Sequence, residues 1–229
     1  MAAASATSDY PRGNSTGGGG WTGADRALLL GLVAFALLRT ASLVFSPLEL
    51  GVDEAQYWLW STGFDFGYYT KPPLTSWIIG LSHSLFGHHE WAVRLPAPWL
   101  HLATSLVLWR AADWLAGPAA GWIAAIIWMT LPSIALGSFV ISTDTPLLLC
   151  WSAGVLALVG VLTGRLRERR GMLLAGGAFG AAMLAKYAAI YGLAGLALFV
   201  LATSVLSRGK DRQKVIGWRG LGLFALGLV

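Results

Sequence analysis

The chain has 229 residues, 56% of them hydrophobic and only 12% charged, with a mean hydropathy of +0.64, a balance that excludes an ordinary soluble domain and points to an integral membrane protein. Its net charge of +5 does not imply nucleic acid, because the basic residues cluster in short segments between apolar runs, as the positive-inside rule expects. The single cysteine, Cys150, lies inside an apolar run and leaves neither a disulfide framework nor a cysteine metal motif.

Residues 1–24 are rich in Ala, Ser, Thr and Gly and read as a disordered cytoplasmic tail. Ala27 to Phe45 then provides 19 largely apolar residues, the length of a first span. A signal peptide fits less well, since its apolar region runs to about 7–15 residues and a clear small-residue cleavage site should follow. Residues 46–94 form a loop long enough to carry function. Within it, Pro73 to Phe86 is apolar but short, as in a helix lying along the membrane interface, and Tyr57, Trp58, Trp60, Tyr68, Tyr69 and Trp91 supply rings suited to that depth.

Further spans are expected at about 95–109, 119–141, 146–162, 172–186 and 188–206, with an incomplete one at 217–229. The two spans within Met172 to Leu206 lie between the basic clusters Arg165, Arg167, Arg169, Arg170 and Arg208, Lys210, Arg212, Lys214. If both clusters are cytoplasmic, the segment is a helical hairpin with Lys186-Tyr187 near its apex. Parity then places Arg12 and Arg26 inside, 46–94 outside, 110–118 inside and 142–145 outside. The Gly-rich stretch 171–180 lacks the Gly-Lys-Ser/Thr ending of a phosphate loop and reads as close helix packing.

This arrangement gathers Asp53, Glu54, Lys71, Asp144 and Lys186 at one outer face. A carboxylate there can deprotonate or orient a hydroxyl, and an ammonium can hold a phosphate. Asp53 is the candidate base, with a helix N-cap as its structural alternative. Glu54 either shares that work, binds a metal or salt-bridges to Lys71. Lys71 precedes Pro72-Pro73, which fixes the direction of its ammonium. Asp144 reads as a second acid or an N-cap. Lys186 is costly to bury unpaired, so it is a phosphate ligand or a snorkelling lysine. Arg94 offers a second phosphate contact or a membrane-edge anchor, and Tyr57, Tyr68 and Tyr69 are candidates for the headgroup or sugar. No cofactor is required. For a divalent metal, Glu54 and a loop histidine are the plausible ligands, because adjacent His88 and His89 do not converge on one ion and no zinc spacing is present.

The series Asp53-Glu54-Ala55-Gln56-Tyr57-Trp58, Gly67-Tyr68-Tyr69-Thr70-Lys71-Pro72-Pro73-Leu74, Leu85-Phe86-Gly87-His88 and Arg94-Leu95-Pro96, followed by Thr143-Asp144-Thr145-Pro146 and Ala185-Lys186-Tyr187, resembles the amino-terminal half of the GT-C membrane glycosyltransferases. The nearest branch is the bacterial protein O-mannosyltransferase-like group that includes the aminoarabinose transferases. The resemblance covers roughly Leu28 to Leu206.

It implies an all-α, multispanning bundle in a bacterial-type inner membrane, with a long first extracytoplasmic loop containing interfacial helices. It also implies transfer of a sugar, with inversion, from a polyprenyl-phosphate donor to a lipid, protein or glycan acceptor outside the cytoplasm. By motif position, Asp53 matches the acidic residue near the acceptor, Lys71 the carrier-phosphate contact and Asp144 a second acid of the site. Relatives of this kind are longer, so the chain is expected to be an inactive fragment on its own. A transporter or lipid flippase, which should carry charges at the membrane midplane and internal repeats, and a noncatalytic assembly partner are the competing readings.

Overall fold

A computed structural model describes residues 21–206 and 218–228. The regular elements among those residues are all helices, with no strand. Most of the expected tail, residues 1–20, and the basic cluster from Arg208 to Lys214 lie outside the described residues. The helices are α1 Gly23–Val44, α2 Val52–Ser61, α3 Leu74–Phe86, α4 Glu90–Arg94, α5 Pro96–Ala116, α6 Pro118–Thr130, α7 Pro132–Gly137, α8 Asp144–Leu162, α9 Glu168–Ala185, α10 Ile190–Leu206 and α11 Trp218–Leu228.

Local chemistry sets these boundaries. The Thr22 hydroxyl accepts from the Asp25 amide at 3.1 Å while Asp25 accepts from the Thr22 amide at 2.9 Å, a capping box that starts α1 within the stretch expected to be tail. Pro96, Pro118 and Pro132 stand at the first turns of α5, α6 and α7, where a missing N–H costs nothing. Gly87 and Gly117 end α3 and α5 with φ of +83° and +90°, a conformation open to glycine. α1, with 22 residues and mean hydropathy 2.1, and α8, with 19 residues and 2.0, are long and apolar enough to cross a membrane. α3 rises only about 20 Å over its 13 residues, too short to cross. Leu30, Leu37 and Leu38 of α1 and Ile123 and Ile127 of α6 stay exposed, as side chains facing lipid do.

The expected single span at 119–141 is in fact two helices. Pro132 cannot donate to the helix ladder and pushes Leu131 into extended backbone, φ −57° and ψ 132°. The break frees the Met129 carbonyl, and Arg39 from α1 donates to it at 2.6 Å and to the Ser138 hydroxyl at 2.9 Å. Arg39 is buried and lies 4.4 Å over the Phe35 ring, so its planar fork serves the broken helix rather than solvent. From that anchor the chain runs through residues 139–143 to the start of α8.

α1, α5 and α6 share one core around Leu32, Ala36, Leu102, Ala125 and Met129, while α8, α9, α10 and α11 share another around Met172, Ala175, Phe179 and Phe224. The Gly-rich face of α9 permits close approach: a Cβ on Gly180 would lie 2.8 Å from the Leu228 carbonyl oxygen, and one on Gly176 would collide with that of Phe224. A third core joins Tyr57 and Ile79 of α2 and α3 to Val93, Ala97 and Ile141. A fourth sets Leu74 at the start of α3 against Leu147, Ala182, Ala185 and Ala189. Those last two clusters bring the 46–94 loop, the start of α8 and the end of α9 together.

Candidate functional site: two lysine–carboxylate pairs across one cleft

A cleft of about 370 Å³ opens where these three segments meet. Its walls include Asp53 and Tyr57 of α2, Thr70, Lys71 and Pro72 of the following loop, Ser142, Thr143 and Asp144 at the start of α8, and Lys186 to Ala188 after α9. Side chains separated by up to 135 positions thus face one volume.

Asp53 lies in the first turn of α2, where a carboxylate favours the helix dipole, and its side chain is 71% exposed. Lys71 approaches it across the cleft at 3.4 Å and donates to the Tyr57 hydroxyl at 2.6 Å, with the ammonium 4.8 Å from the Tyr57 ring centroid. Burial alone would push the Lys71 ammonium down. The Tyr57 hydroxyl and the Asp53 carboxylate outweigh burial and hold its pKa above the ordinary value.

The opposite wall carries a second pair. Asp144 is the first residue of α8, and its carboxylate makes no capping bond; it accepts from Lys186 at 2.7 Å. Lys186 occupies an extended residue, φ −159° and ψ 134°, between the end of α9 and a 3₁₀ turn at Tyr187–Ala189. Both partners are about half exposed. Each lysine is therefore in place, yet held by a solvent-facing carboxylate from which a phosphate can recruit it at small cost.

Glu54 and Arg94 are placed otherwise. Glu54 points into the protein, accepting from Arg94 Nε at 2.9 Å and Nη2 at 2.7 Å, from the Gly51 amide at 3.0 Å and from the Ile141 amide at 3.0 Å. Arg94 also donates to the Leu48 and Glu49 carbonyls, both at 2.8 Å. Only 2% of the Glu54 side chain and 5% of that of Arg94 are exposed, and neither residue lines the cleft. The alternative of a Glu54–Lys71 salt bridge is thus replaced by a Glu54–Arg94 fork that ties together the approach to α2, the end of α4 and the segment leading to Asp144.

The tyrosines divide as well. Tyr57 is a cleft residue, whereas the Tyr68 hydroxyl is shared between the Trp60 and Gly63 carbonyls and its ring stacks on Trp60 at 4.9 Å. Tyr69 is fully exposed outside the cleft lining. Among the described residues no three His, Cys, Asp or Glu side chains converge as a metal site, and the Glu54 carboxylate is already engaged by four donors. His88 accepts from the Trp58 indole at 3.2 Å. Thr70, Ser142 and Thr143 are cleft residues that the sequence reading did not single out. The motifs Tyr69-Thr70-Lys71 and Thr143-Asp144-Thr145 contained the signal.

Comparison with known proteins gives a consistent picture. The dolichyl-phosphate-mannose-protein mannosyltransferase family matches residues 70–229. The lipid A galacturonosyltransferase RgtD of Rhizobium johnstonii is 39% identical over 181 residues, 77% of this chain and 37% of its own length. The crystal structure of ArnT from Cupriavidus metallidurans in the apo state superposes with a TM-score of 0.72 at 24% identity, covering 90% of this chain and 40% of that one. The chain thus spans well under half the length of either. By the extent of these matches, it belongs to the dolichyl-phosphate-mannose-protein mannosyltransferase family of GT-C membrane glycosyltransferases.

Proposed function

We propose that this chain carries the transfer cleft of an enzyme that moves a sugar from a polyprenyl-phosphate donor to an acceptor outside the cytoplasmic leaflet of a bacterial-type inner membrane. The observation that carries this reading is the convergence of Asp53, Lys71, Asp144 and Lys186 on one cleft beside α3. The lipid acceptor named for RgtD makes a lipid the acceptor class closest to hand.

Lys71 and Lys186 hold the carrier phosphate. Asp53 receives the proton of the acceptor hydroxyl as its oxygen attacks the anomeric carbon. The bond from that carbon to the phosphate oxygen breaks, and its electron pair leaves with the polyprenyl phosphate, with inversion at carbon. An acceptor that is itself a phosphate needs no base, and Asp53 then orients it. Asp144 keeps Lys186 extended into the cleft. Glu54 and Arg94 act behind the wall as positioning residues, since the Ile141 amide held by Glu54 lies three residues before Asp144.

In this reading α1 runs from the cytoplasm outward, residues 46–94 and 142–145 lie outside, and the turn at Lys186 returns to the same face. The complete native protein, reconstituted with a polyprenyl-phosphate sugar and inner- and outer-membrane lipid acceptors, tests the proposal directly. Asp53→Asn should lower the transfer rate about 10²–10⁴-fold at unchanged membrane insertion. Transfer at the wild-type rate would remove Asp53 from the chemistry, and solute uptake without transfer would favour a transporter.

A further inference from the structure

A second cleft, of about 350 Å³, lies at the other end of the α2–α3 pair, between Ser61, Phe64, Ser76, Trp77, Leu81 and His83. It shares no lining residue with the first. Asp53 and Ser61 are eight residues apart on α2, about 12 Å along the helix axis. One molecule can therefore occupy both clefts along a single helical hairpin.

The chemistry of this cleft is unlike that of the first. None of the described residues lining it is Asp, Glu, Lys or Arg, so it holds no lysine or arginine to pair with a phosphate or a carboxylate. Its wall is aromatic: Phe64 and Trp77 stack at 5.0 Å with ring planes 12° apart, and the Trp77 indole is fixed by donating to the Asp65 carbonyl at 2.9 Å. Its base holds unsatisfied polar groups. The Ser76 hydroxyl, on a residue only 1% exposed, has no hydrogen-bond partner among the described residues, and neither does His83 Nδ1. A buried polar atom left unpaired costs free energy that a bound hydrogen-bonding group recovers. Apolar walls with a few convergent polar atoms are the usual construction of a small-molecule site.

An uncharged group with hydroxyls on its edge and C–H bonds on its face satisfies both features. We propose that the second cleft holds an uncharged saccharide unit of a glycolipid acceptor, while the next group of the same molecule reaches Asp53. The assignment rests on the glycosyl-transfer reading for the word acceptor, but the saccharide site itself does not require turnover. Ser76 and Trp77 are then specificity residues for the molecule that receives the sugar, separate from the lysines that hold the donor.

Photocrosslinking in native membranes tests this in the complete protein. A photoreactive phenylalanine analogue replaces Leu81, which lines the cleft and is 65% exposed, or, as a control, Leu59, which is 62% exposed on α2 and lines neither cleft. After irradiation, position 81 should carry adducts of saccharide-bearing lipid at about ten times the level of position 59. The oligosaccharide freed of its acyl chains should compete with labelling. Ser76→Ala should reduce the adduct roughly tenfold, the effect of losing one buried hydrogen bond. It should not lower the unfolding temperature, because no hydrogen bond to another described residue is lost and an unpaired buried hydroxyl is removed.

Only phospholipid adducts at position 81, no adduct there, equal glycolipid labelling at both positions, no competition by the free saccharide, or labelling indifferent to Ser76→Ala would each overturn the proposal. A protein that labels as expected but transfers no sugar would leave the saccharide site standing and sink the enzymatic reading. A protein that transfers sugar without this labelling would do the reverse.

Discussion

Asp53 and Glu54 are neighbours in sequence with opposite fates. Successive residues on an α-helix point about 100° apart, so α2 sends Asp53 into the cleft, 71% exposed and 3.4 Å from Lys71, while Glu54 turns inward to Arg94 with 2% of its side chain exposed. The Lys186–Asp144 pair resembles the former in exposure. Open pairs exchange partners cheaply and so suit a site where a charged substrate arrives and leaves. A closed pair cannot be opened without stranding a charge, which suits a fastener. The acid pair that looks like one functional unit in sequence is thus a cleft acid beside a structural one.

Breaking the fastener should have the largest effect on stability. Glu54→Ala leaves the Arg94 guanidinium buried without its carboxylate and the Ile141 amide without its acceptor, so the protein should lose about 3–5 kcal/mol, read by thermal or denaturant unfolding in detergent. Unchanged unfolding with lost transfer would instead put Glu54 in the chemistry. Lys71→Met should invert that pattern. Its stability change should stay within about 1.5 kcal/mol, the worth of the one hydrogen bond to Tyr57, while transfer falls about 10²–10³-fold, as when a donor to developing negative charge is removed.

Tyr57→Phe is gentler. It removes the hydroxyl that accepts from Lys71 at 2.6 Å but leaves the ring packed, so transfer should drop roughly tenfold with little change in unfolding. A loss as large as that of Lys71→Met would make Tyr57 a direct participant. The smallest expected effect is that of pH on Lys71. Because the folded pKa lies above the ordinary 10.5, the ammonium and its contacts persist throughout the range below that value and are lost only as pH rises beyond it. Donor affinity owed to Lys71 should therefore be flat up to pH 10.5, and a fall near neutrality that Lys71→Met abolishes would contradict the geometry.

Much of the helical architecture was legible because hydropathy reports it directly. α1 and α8 follow long apolar runs, α3 follows the short one after Pro72-Pro73, and the ordered motifs identified the GT-C family before any coordinates. The departures have local causes. Average hydropathy across 119–141 hides the single missing N–H at Pro132 that divides α6 from α7. The same averaging passes over Arg39, whose charge inside an apolar stretch is explained only by the carbonyl that Pro132 frees 90 positions away.

The four charged residues of the cleft were legible and their pairing was not. Asp53, Lys71, Asp144 and Lys186 stand in recognisable motifs, but which acid meets which lysine depends on the approach of α2, α8 and α9. Glu54 and Arg94 look like site residues in one dimension because charged residues in short motifs do. Their burial is set by where Leu48, Glu49 and Ile141 come to rest, and no spacing rule contains that.

The most direct test of the account is sided labelling of single cysteines at the rim of the cleft, Tyr69→Cys and Tyr187→Cys, in a Cys150→Ala background in intact cells. Both positions should react with a membrane-impermeant maleimide from outside, while Arg165→Cys should react only after the membrane is opened. Reaction of positions 69 and 187 from opposite sides of the membrane would mean that the two lysine–carboxylate pairs do not share one extracytoplasmic cleft, and the proposed transfer site would not exist.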